Sequence, residues 1–310
     1  MKKDYSLIDI RLIELRSYYL TKIIISMIIS FCCFSFTYLV FSLPAFYDIF
    51  YREYFFETFN LIYFVEENIK TIINVFLLFI ALLTTILIVL IEYFVFNKKY
   101  QKYYNSFIFD ELQLIDYSIN TNKFNLNIKT MDSIYTANNI VMEINEHICS
   151  IKKKGNLDIF QITTKGKIKH SSLYVFSSNK CLNEFIQLDT IENHKINNFN
   201  GKNVFDFYYD SPKYPNKINV FSTYGKKTNS ICSNELISLV NRLQMYFNSK
   251  ITITAFENYL AIYVPNQRIK LSQSLIKKYK HNLIDKKVST IDYIFKSAED
   301  IYDQIHGKEE

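Results

Sequence analysis

The chain is 310 residues long, carries a formal net charge of +6 and contains 27 Phe, 25 Tyr, 5 Gly, 4 Pro and no Trp. Its glycines form no GxSxG nucleophile elbow and no complete GxxxxGK[ST] phosphate loop, since Val220 and Lys227 occupy two required positions around Gly225. Its five cysteines form no CxxC pair, which argues against a structural zinc site. We therefore predict a chain that is not an enzyme and holds no cofactor or metal.

The first apolar run is residues 23–43, which contain no charged residue and are followed by Pro44. A helix of twenty-one residues reaches about 30 Å, the hydrocarbon thickness of a bilayer. The preceding segment, residues 1–22, contains three acidic residues, and no small-x-small cleavage site follows the run. We interpret residues 23–43 as a retained membrane span and not as a signal peptide.

The second apolar run, residues 71–91, reads TIINVFLLFIALLTTILIVLI and contains no charge, proline or glycine. A buried helix of a soluble protein is the alternative, but core helices are seldom apolar on every side for six turns. The run predicts a second membrane span. Residues 44–70 form a short aromatic loop between the spans, which either lies at the outer headgroups or lengthens both helices.

Basic residues on the flanks of the spans predict the orientation. Residues 1–22 carry five Lys and Arg, whereas the loop 44–70 carries two against five acids. The stretch after the second span carries Lys98, Lys99 and Lys102. Positively charged flanks stay in the cytoplasm, so we expect both termini inside the plasma membrane and the loop outside it. The three lysines are the predicted contacts to the membrane surface.

The basic excess lies in the second part of the chain, where residues 98–310 carry 29 Lys and Arg against 21 Asp and Glu. A solvated lysine surface is one explanation, and attraction to anionic lipid headgroups is the functional one. Nucleic acid is the weaker candidate partner, because the lysines of "IKKKGN" at 151–156 are accompanied by no helix-turn-helix, zinc-finger or RNA-binding signature.

Residues 92–125 continue at helical spacing and predict a basic helical stalk, and residues 126–310 predict a cytoplasmic α+β domain. Period-two alternation predicts strands in the segments "NIVMEINEHI", "LDIFQITT", "SSLYVFSS", "NEFIQLDT", "VFDFYYD" and "KINVFST". A helix is expected to open at Ser233, and a hairpin to turn at Glu257 and Asn258. A terminal helix is expected from Ser289 to Gly307. The fold class is a two-helix transmembrane hairpin followed by a mainly antiparallel sheet with two or three helices.

This order of parts resembles a bacterial family of two-span membrane proteins catalogued only as a domain of unknown function. The resemblance covers most of residues 15–270 and rests on packing positions in "NVFDFYYD", "NELISLVNRLQ" and "ITITAFENYLAIYV". Those positions are Phe205, Phe207, Phe221, Leu236, Leu243, Phe256 and Ile262. The family's glycine-containing turn before "SSLYVF" is replaced here by Ser171 and Ser172. The resemblance implies a topology and a bacterial inner membrane, and it implies no active-site residues.

Two classes of function follow from this layout. The first is a non-enzymatic interaction or scaffold module that is anchored in the lipid bilayer and holds an unidentified protein partner. The alternative is a signalling or defence sensor whose cytoplasmic domain binds a ligand and alters how the helices associate. Small residues at a spacing of four, Ser26 with Ser30 and Ala81 with Thr85, allow close helix contact and hence a homo-oligomer.

Overall fold

A computed structural model describes residues 6–42, 63–120, 142–164, 170–190, 196–209, 217–269, 271, 274–277, 279–280 and 283–309. The chain divides into two compact units. The first consists of Met1–Phe107 and Ser272–Asn282, and the second of Ile108–Leu271 and Leu283–Glu310. Most of the predicted aromatic loop 44–70 lies outside the described residues.

The two predicted spans lie in long helices, α1 (Ser6–Ser42) and α2 (Tyr63–Gln113). Their 37 and 51 residues correspond to lengths of about 55 and 75 Å, well beyond the roughly 30 Å of a hydrocarbon core. Two stretches, Leu7–Leu39 and Leu78–Gln113, are long and apolar enough to cross a membrane. In the first unit, the rings of Tyr19 on α1 and Phe96 on α2 stack 5.2 Å apart.

The second unit is an α+β fold, as predicted. Its strands are β1 (Ser118–Asn120), β2 (Met142–Lys152), β3 (Asn156–Thr164), β4 (His170–Asp189), β5 (Asn198–Phe199), β6 (Lys202–Asn203), β7 (Phe205–Tyr209), β8 (Ile218–Ser222) and β9 (Thr252–Val264). The main sheet is antiparallel in the order β1-β2-β3-β4-β8-β7, and β9 pairs with β4. Strands β5 and β6 form a separate small hairpin.

Besides the end of α2, the described part of the second unit contains the helices α3 (Thr228–Ile231), α4 (Asn234–Phe247) and α5 (Leu283–Glu309). The predicted cap of α4 is confirmed, because the Ser233 hydroxyl accepts a hydrogen bond from the Leu236 amide at 3.2 Å. The predicted limits of the terminal helix are wrong at both ends. Ile284 and Val288 extend its buried stripe toward the N-terminus, and the helix continues past Gly307.

Two predicted breaks in the sheet are also wrong. The segments "SSLYVFSS" and "NEFIQLDT" belong to the single 20-residue strand β4. Its first half pairs with β3 and its second half with β8, while β9 pairs with both halves. The predicted turn at Glu257 lies within β9, because the left-handed backbone of Glu257 (φ 47°) makes a bulge opposite Leu182 instead of a reversal.

The sheet is buried on both faces, so its central strands are apolar at successive positions. Leu173 and Val175 join a cluster of buried apolar residues that includes Phe185, Phe199 and Phe256. The intervening residues of β4 face the helices. Tyr174 stacks on Phe247 of α4 with ring centres 5.7 Å apart, and Phe176 meets Phe295 of α5 edge-on at 5.6 Å.

Candidate functional site

The predicted membrane-contact lysines are exposed side chains of α2. Lys98, Lys99 and Lys102 occupy positions i, i+1 and i+4, so they share one side of the helix. They follow Ile91, the end of the predicted span, by 7 to 11 residues, or about 10–16 Å along the helix axis. The Lys99 ammonium lies 5.9 Å from the centre of the Phe96 ring. The geometry leaves all three charges available to an anionic surface.

An arginine bracket, which the sequence did not reveal, holds the segment 274–277 in the first unit. The Arg16 guanidinium donates to the carbonyl oxygens of Leu275, Ile276 and Lys277 at 2.9, 3.1 and 3.1 Å. The same segment reaches α2, where the Leu275 amide donates to the Asn97 side chain at 2.8 Å. The planar guanidinium group presents several N–H donors, which suits three carbonyl acceptors from consecutive residues. Arg16, which the sequence marked only as a topology charge, therefore also has a structural role.

A buried polar cluster lies in the same unit. The Tyr279 hydroxyl donates to the Asp9 carboxylate, and burial, followed by this carboxylate, raises the pKa of Tyr279. Tyr100 and Tyr104 on α2 are fully buried, with Tyr104 near Asp9, and among the described residues their hydroxyls have no hydrogen-bond partner. An unpartnered buried hydroxyl costs about 1–3 kcal/mol. The packing around these two hydroxyls is therefore less stabilising than an apolar contact of the same size.

The second unit contains an open pocket of about 200 Å³ between the β5–β6 hairpin and the bulge of β4 and β9. The hairpin turns at Asn200 and Gly201, whose φ angles of 49° and 79° fit the Asn-Gly turn of a tight hairpin. This turn places Phe199 against the sheet. Its ring stacks on Phe185 at 4.2 Å and meets Phe256 edge-on at 5.5 Å, so three aromatic residues line the pocket.

One polar wall of the pocket is an ion pair. The Lys202 ammonium contacts the Glu184 carboxylate at 2.9 Å, and the Thr223 hydroxyl donates to the same oxygen at 2.5 Å. Burial raises the pKa of Glu184, but the hydrogen bonds from Thr223 and Lys202 outweigh it and lower the pKa below its ordinary value. Glu184 is therefore ionised at neutral pH and holds Lys202 in place.

The opposite wall contains backbone strain. Glu257, which lines the pocket, has a left-handed conformation that is rare for a residue with a long side chain. The Tyr302 hydroxyl of α5 lies within hydrogen-bonding distance of the Glu257 carbonyl at 2.7 Å and of the Lys180 carbonyl at 2.9 Å. Strain of this kind costs about 1–3 kcal/mol and is concentrated at binding sites and switches. The bulge therefore makes this pocket a candidate binding site of the second unit.

A second polar cluster lies between β2 and β3. The Asp158 carboxylate accepts hydrogen bonds from Ser150 and, at 2.7 Å, from Asn156. Ser150 and Asp158 both approach the same ring nitrogen of His147, Nε2, at 3.2 and 3.4 Å. In a nucleophilic triad, the serine and the acid bind opposite nitrogens of the histidine, so this arrangement does not activate Ser150.

Burial dominates the electrostatics of that cluster. It raises the pKa of Asp158, although hydrogen bonds from Ser150, His147 and Asn156 and the charge of His147 oppose the rise. Burial, followed by the charge of Asp158, raises the pKa of Cys149 to about 12. Cys149 is therefore protonated and unreactive at neutral pH. Within the described part of the chain, no three His, Cys, Asp or Glu side chains are placed to share a metal ion.

No family model matches this chain, and no curated protein matches it. It is similar to the crystal structure of the mycobacterial trehalose monomycolate transport factor A, with a TM-score of 0.37 and 8% sequence identity. The similarity covers 65% of this chain and 94% of that chain.

Proposed function

We propose that this chain is a non-enzymatic interaction module anchored in a bacterial inner membrane by α1 and α2. The observation that carries the proposal is the exposure of apolar side chains around α1. Five apolar side chains of α1 are each 49–57% exposed, namely Ile24, Ile25, Met27, Ile28 and Ile29. Because successive helix positions point in different directions, these exposed side chains lie on several sides of the helix. At about 1.5–3 kcal/mol for a fully exposed side chain, these five half-exposed side chains alone would cost roughly 5 kcal/mol in water. A bilayer removes that cost.

The proposed orientation places both termini and the α+β unit in the cytoplasm. Lys98, Lys99 and Lys102 lie just beyond the proposed inner end of the second span, and each contributes about 1 kcal/mol of attraction to an anionic leaflet. Because this attraction decays over a Debye length of about 8 Å, lysines farther along the chain contribute less. The three lysines therefore help to set the orientation and the position of α2 at the inner surface.

Accessibility of cysteines tests the orientation. The natural Cys181 is exposed in the second unit, and Glu57→Cys adds a reporter in the proposed external loop. In spheroplasts treated with a membrane-impermeant maleimide and analysed by peptide mass spectrometry, we expect labelling at 57 and labelling of Cys181 only after permeabilisation. Labelling of Cys181 with protection of 57 in sealed spheroplasts would overturn the orientation.

Charge reversal tests the role of the lysines. The triple variant Lys98→Glu, Lys99→Glu and Lys102→Glu should increase the fraction of Cys181 labelled in sealed spheroplasts. The matched variant with arginine at the three positions keeps the charges and should behave as wild type. A second triple variant to Glu at 152, 153 and 154 changes the charge equally at an exposed hairpin turn and should have a smaller effect. Equal effects of the two triple reversals would contradict a local role for α2.

Single substitutions test the non-enzymatic part of the proposal. His194→Gln and Cys181→Ser should leave the cellular phenotype unchanged at normal protein level and membrane location. Loss of function in either variant under those conditions would indicate catalysis. Crosslinking in living cells, followed by identification of the captured molecules, then distinguishes protein, lipid and nucleic-acid partners.

One observation favours the ligand-binding sensor as a second candidate function. The pocket in the second unit combines an aromatic lining, an ion pair and a strained residue within about 200 Å³. A surface that only holds a protein partner has no need of such a concave site. In this case the α+β unit binds a small ligand, and ligand binding alters the association of the membrane helices.

A further inference from the structure

We infer that the pocket formed by Glu184, Phe185, Phe199, Lys202, Phe256 and Glu257 binds a small organic amine that carries one aromatic ring. This inference rests on the second candidate function, in which the α+β unit takes a ligand. It does not depend on which way the chain crosses the membrane. The size of the pocket, the chemistry of its lining and its balance of charge all favour such a ligand.

The size of the pocket limits the ligand to a single ring with a short side chain. Its volume is about 200 Å³. A cavity of about 150 Å³ is known to accept one benzene molecule, whereas drug-sized ligands occupy roughly 300–1,000 Å³. A nucleotide or a lipid headgroup with its chains is too large to be enclosed. The pocket is half open, so a substituent on the ring can extend into solvent.

The lining of the pocket favours a flat ring. Phe185, Phe199 and Phe256 are 2%, 7% and 3% exposed, so their rings are fixed by packing before any ligand arrives. Phe185 and Phe199 stack, and Phe199 and Phe256 meet edge-on, so the rings cover one another and leave only a small part of each for a ligand. These exposed parts can pack against the ring of a ligand in offset or edge-on geometry.

The charges that line the pocket favour a cationic ligand. Glu184 and Lys202 neutralise each other across 2.9 Å, and the Lys202 ammonium also donates to the Asn183 carbonyl at 3.4 Å. Glu257, an exposed acidic residue, is part of the opposite wall. The sum of these three charges is negative. An ammonium group therefore gains attraction here that a carboxylate or phosphate does not.

Binding of three matched probes to the full-length protein in lipid nanodiscs tests the inference. Phenethylamine, 2-phenylethanol and 3-phenylpropionate share a ring and a short side chain but are cationic, neutral and anionic at neutral pH. Ligand-detected NMR titrations against nanodiscs with and without the protein separate binding to the pocket from partition into lipid. We expect phenethylamine to bind with a dissociation constant about tenfold lower than that of 3-phenylpropionate, as one favourable charge contact predicts.

Three variants connect binding to the pocket. Glu257→Gln should weaken phenethylamine binding by about fivefold and leave 2-phenylethanol unchanged. Asp206→Asn removes one exposed carboxylate outside the pocket and should change neither. Lys202→Gln should retain or strengthen phenethylamine binding, because it leaves Glu184 without its counter-ion. Circular dichroism of each variant confirms that the fold is retained.

Each contrary result overturns a defined part of the inference. Tighter binding of 3-phenylpropionate that is lost in Lys202→Gln would make the pocket an anion site. Equal binding of the amine and the alcohol would remove the charge argument, and no binding of any probe by the folded protein would remove the ligand. None of these results affects the proposed membrane anchor, which the cysteine labelling tests independently.

Discussion

The two units use the same apolar side chains in opposite ways. In α1 of the first unit, Ile28 is 56% exposed and its apolar neighbours cover every side of the helix, whereas in α4 of the second unit Leu243 is fully buried and lies on a single apolar face. Hydrophobic composition alone does not distinguish these helices. Their periodicity does, because a bilayer solvates all sides of a helix and a protein core covers only one. Charged substitutions in the two helices separate the two environments.

The largest expected effect comes from a charge in the core of α4. Leu243→Asp should destabilise the second unit by several kcal/mol, because it buries an unpaired carboxylate and leaves a cavity. Met245→Asp, two residues away and 75% exposed, should change stability by less than about 0.5 kcal/mol. Limited proteolysis and thermal denaturation of both variants in nanodiscs measure the difference. Wild-type stability of Leu243→Asp would mean that this face of α4 is solvated.

A charge in α1 should weaken membrane insertion and leave the second unit folded. Ile28→Asp places a carboxylate within the first proposed span, where a charge costs up to about 2.5–3.5 kcal/mol at the helix centre and less toward its ends. We expect a larger fraction of this variant to be extracted from membranes by alkaline carbonate, with Ile28→Leu as the neutral control. Full retention in the membrane, together with unfolding of the second unit, would assign Ile28 to a protein core.

The limits of the second unit predict a difference between two soluble fragments. Tyr117 is buried, meets the Phe295 ring edge-on at 5.1 Å and donates to Asp292 at 2.7 Å. A fragment of residues 108–310 keeps these contacts, whereas one of residues 126–310 loses them. The longer fragment should therefore be more stable by about 3 kcal/mol. Equal urea midpoints would show that the unit needs nothing before residue 126, the boundary predicted from the sequence.

The smallest expected effect is a pH dependence that belongs to the second unit alone. Because burial raises the pKa of Asp158 in the folded state, its stabilising effect is complete below the unfolded pKa and declines as pH rises through the folded pKa. Thermal unfolding of fragment 108–310 measured above pH 4 should therefore lose stability with rising pH more steeply for wild type than for Asp158→Asn. Identical slopes for the two proteins would assign this pH dependence to other groups.

The sequence was sufficient where one periodic signal decided the structure. The charge-free runs predicted α1 and α2, and the spacing of Leu236, Val240 and Leu243 predicted the buried face of α4. It failed where one residue bends a strand, because the exposed segment "SSNK" within β4 and Glu257 within β9 have the composition of turns. These residues lie at the bulge and do not reverse the chain.

The candidate pocket and the arginine bracket could not be predicted in this way. Phe185, Phe199 and Phe256 meet only because the β5–β6 hairpin folds over a bulge, and Arg16 meets residues 275–277 across more than 250 positions of sequence. No local sequence pattern predicts contacts between residues so far apart in the chain. A signal was present only for the hairpin itself, in the Asn-Gly pair at 200 and 201.

The long pairing of β4 with β9 has a consequence for synthesis of the chain on the ribosome. Strands β2, β3 and β4 are neighbours in sequence and can pair as soon as they emerge, but β4 ends at Asp189 and β9 ends at Val264. At about 5–20 residues per second, the partner edge of β4 waits roughly 4–15 s for β9. During that interval one edge of an apolar strand is unpaired, so it can pair with a strand of another nascent chain. Early folding of this protein should therefore depend on chaperones that shield unpaired strands, and slower translation between residues 190 and 264 should increase its aggregation.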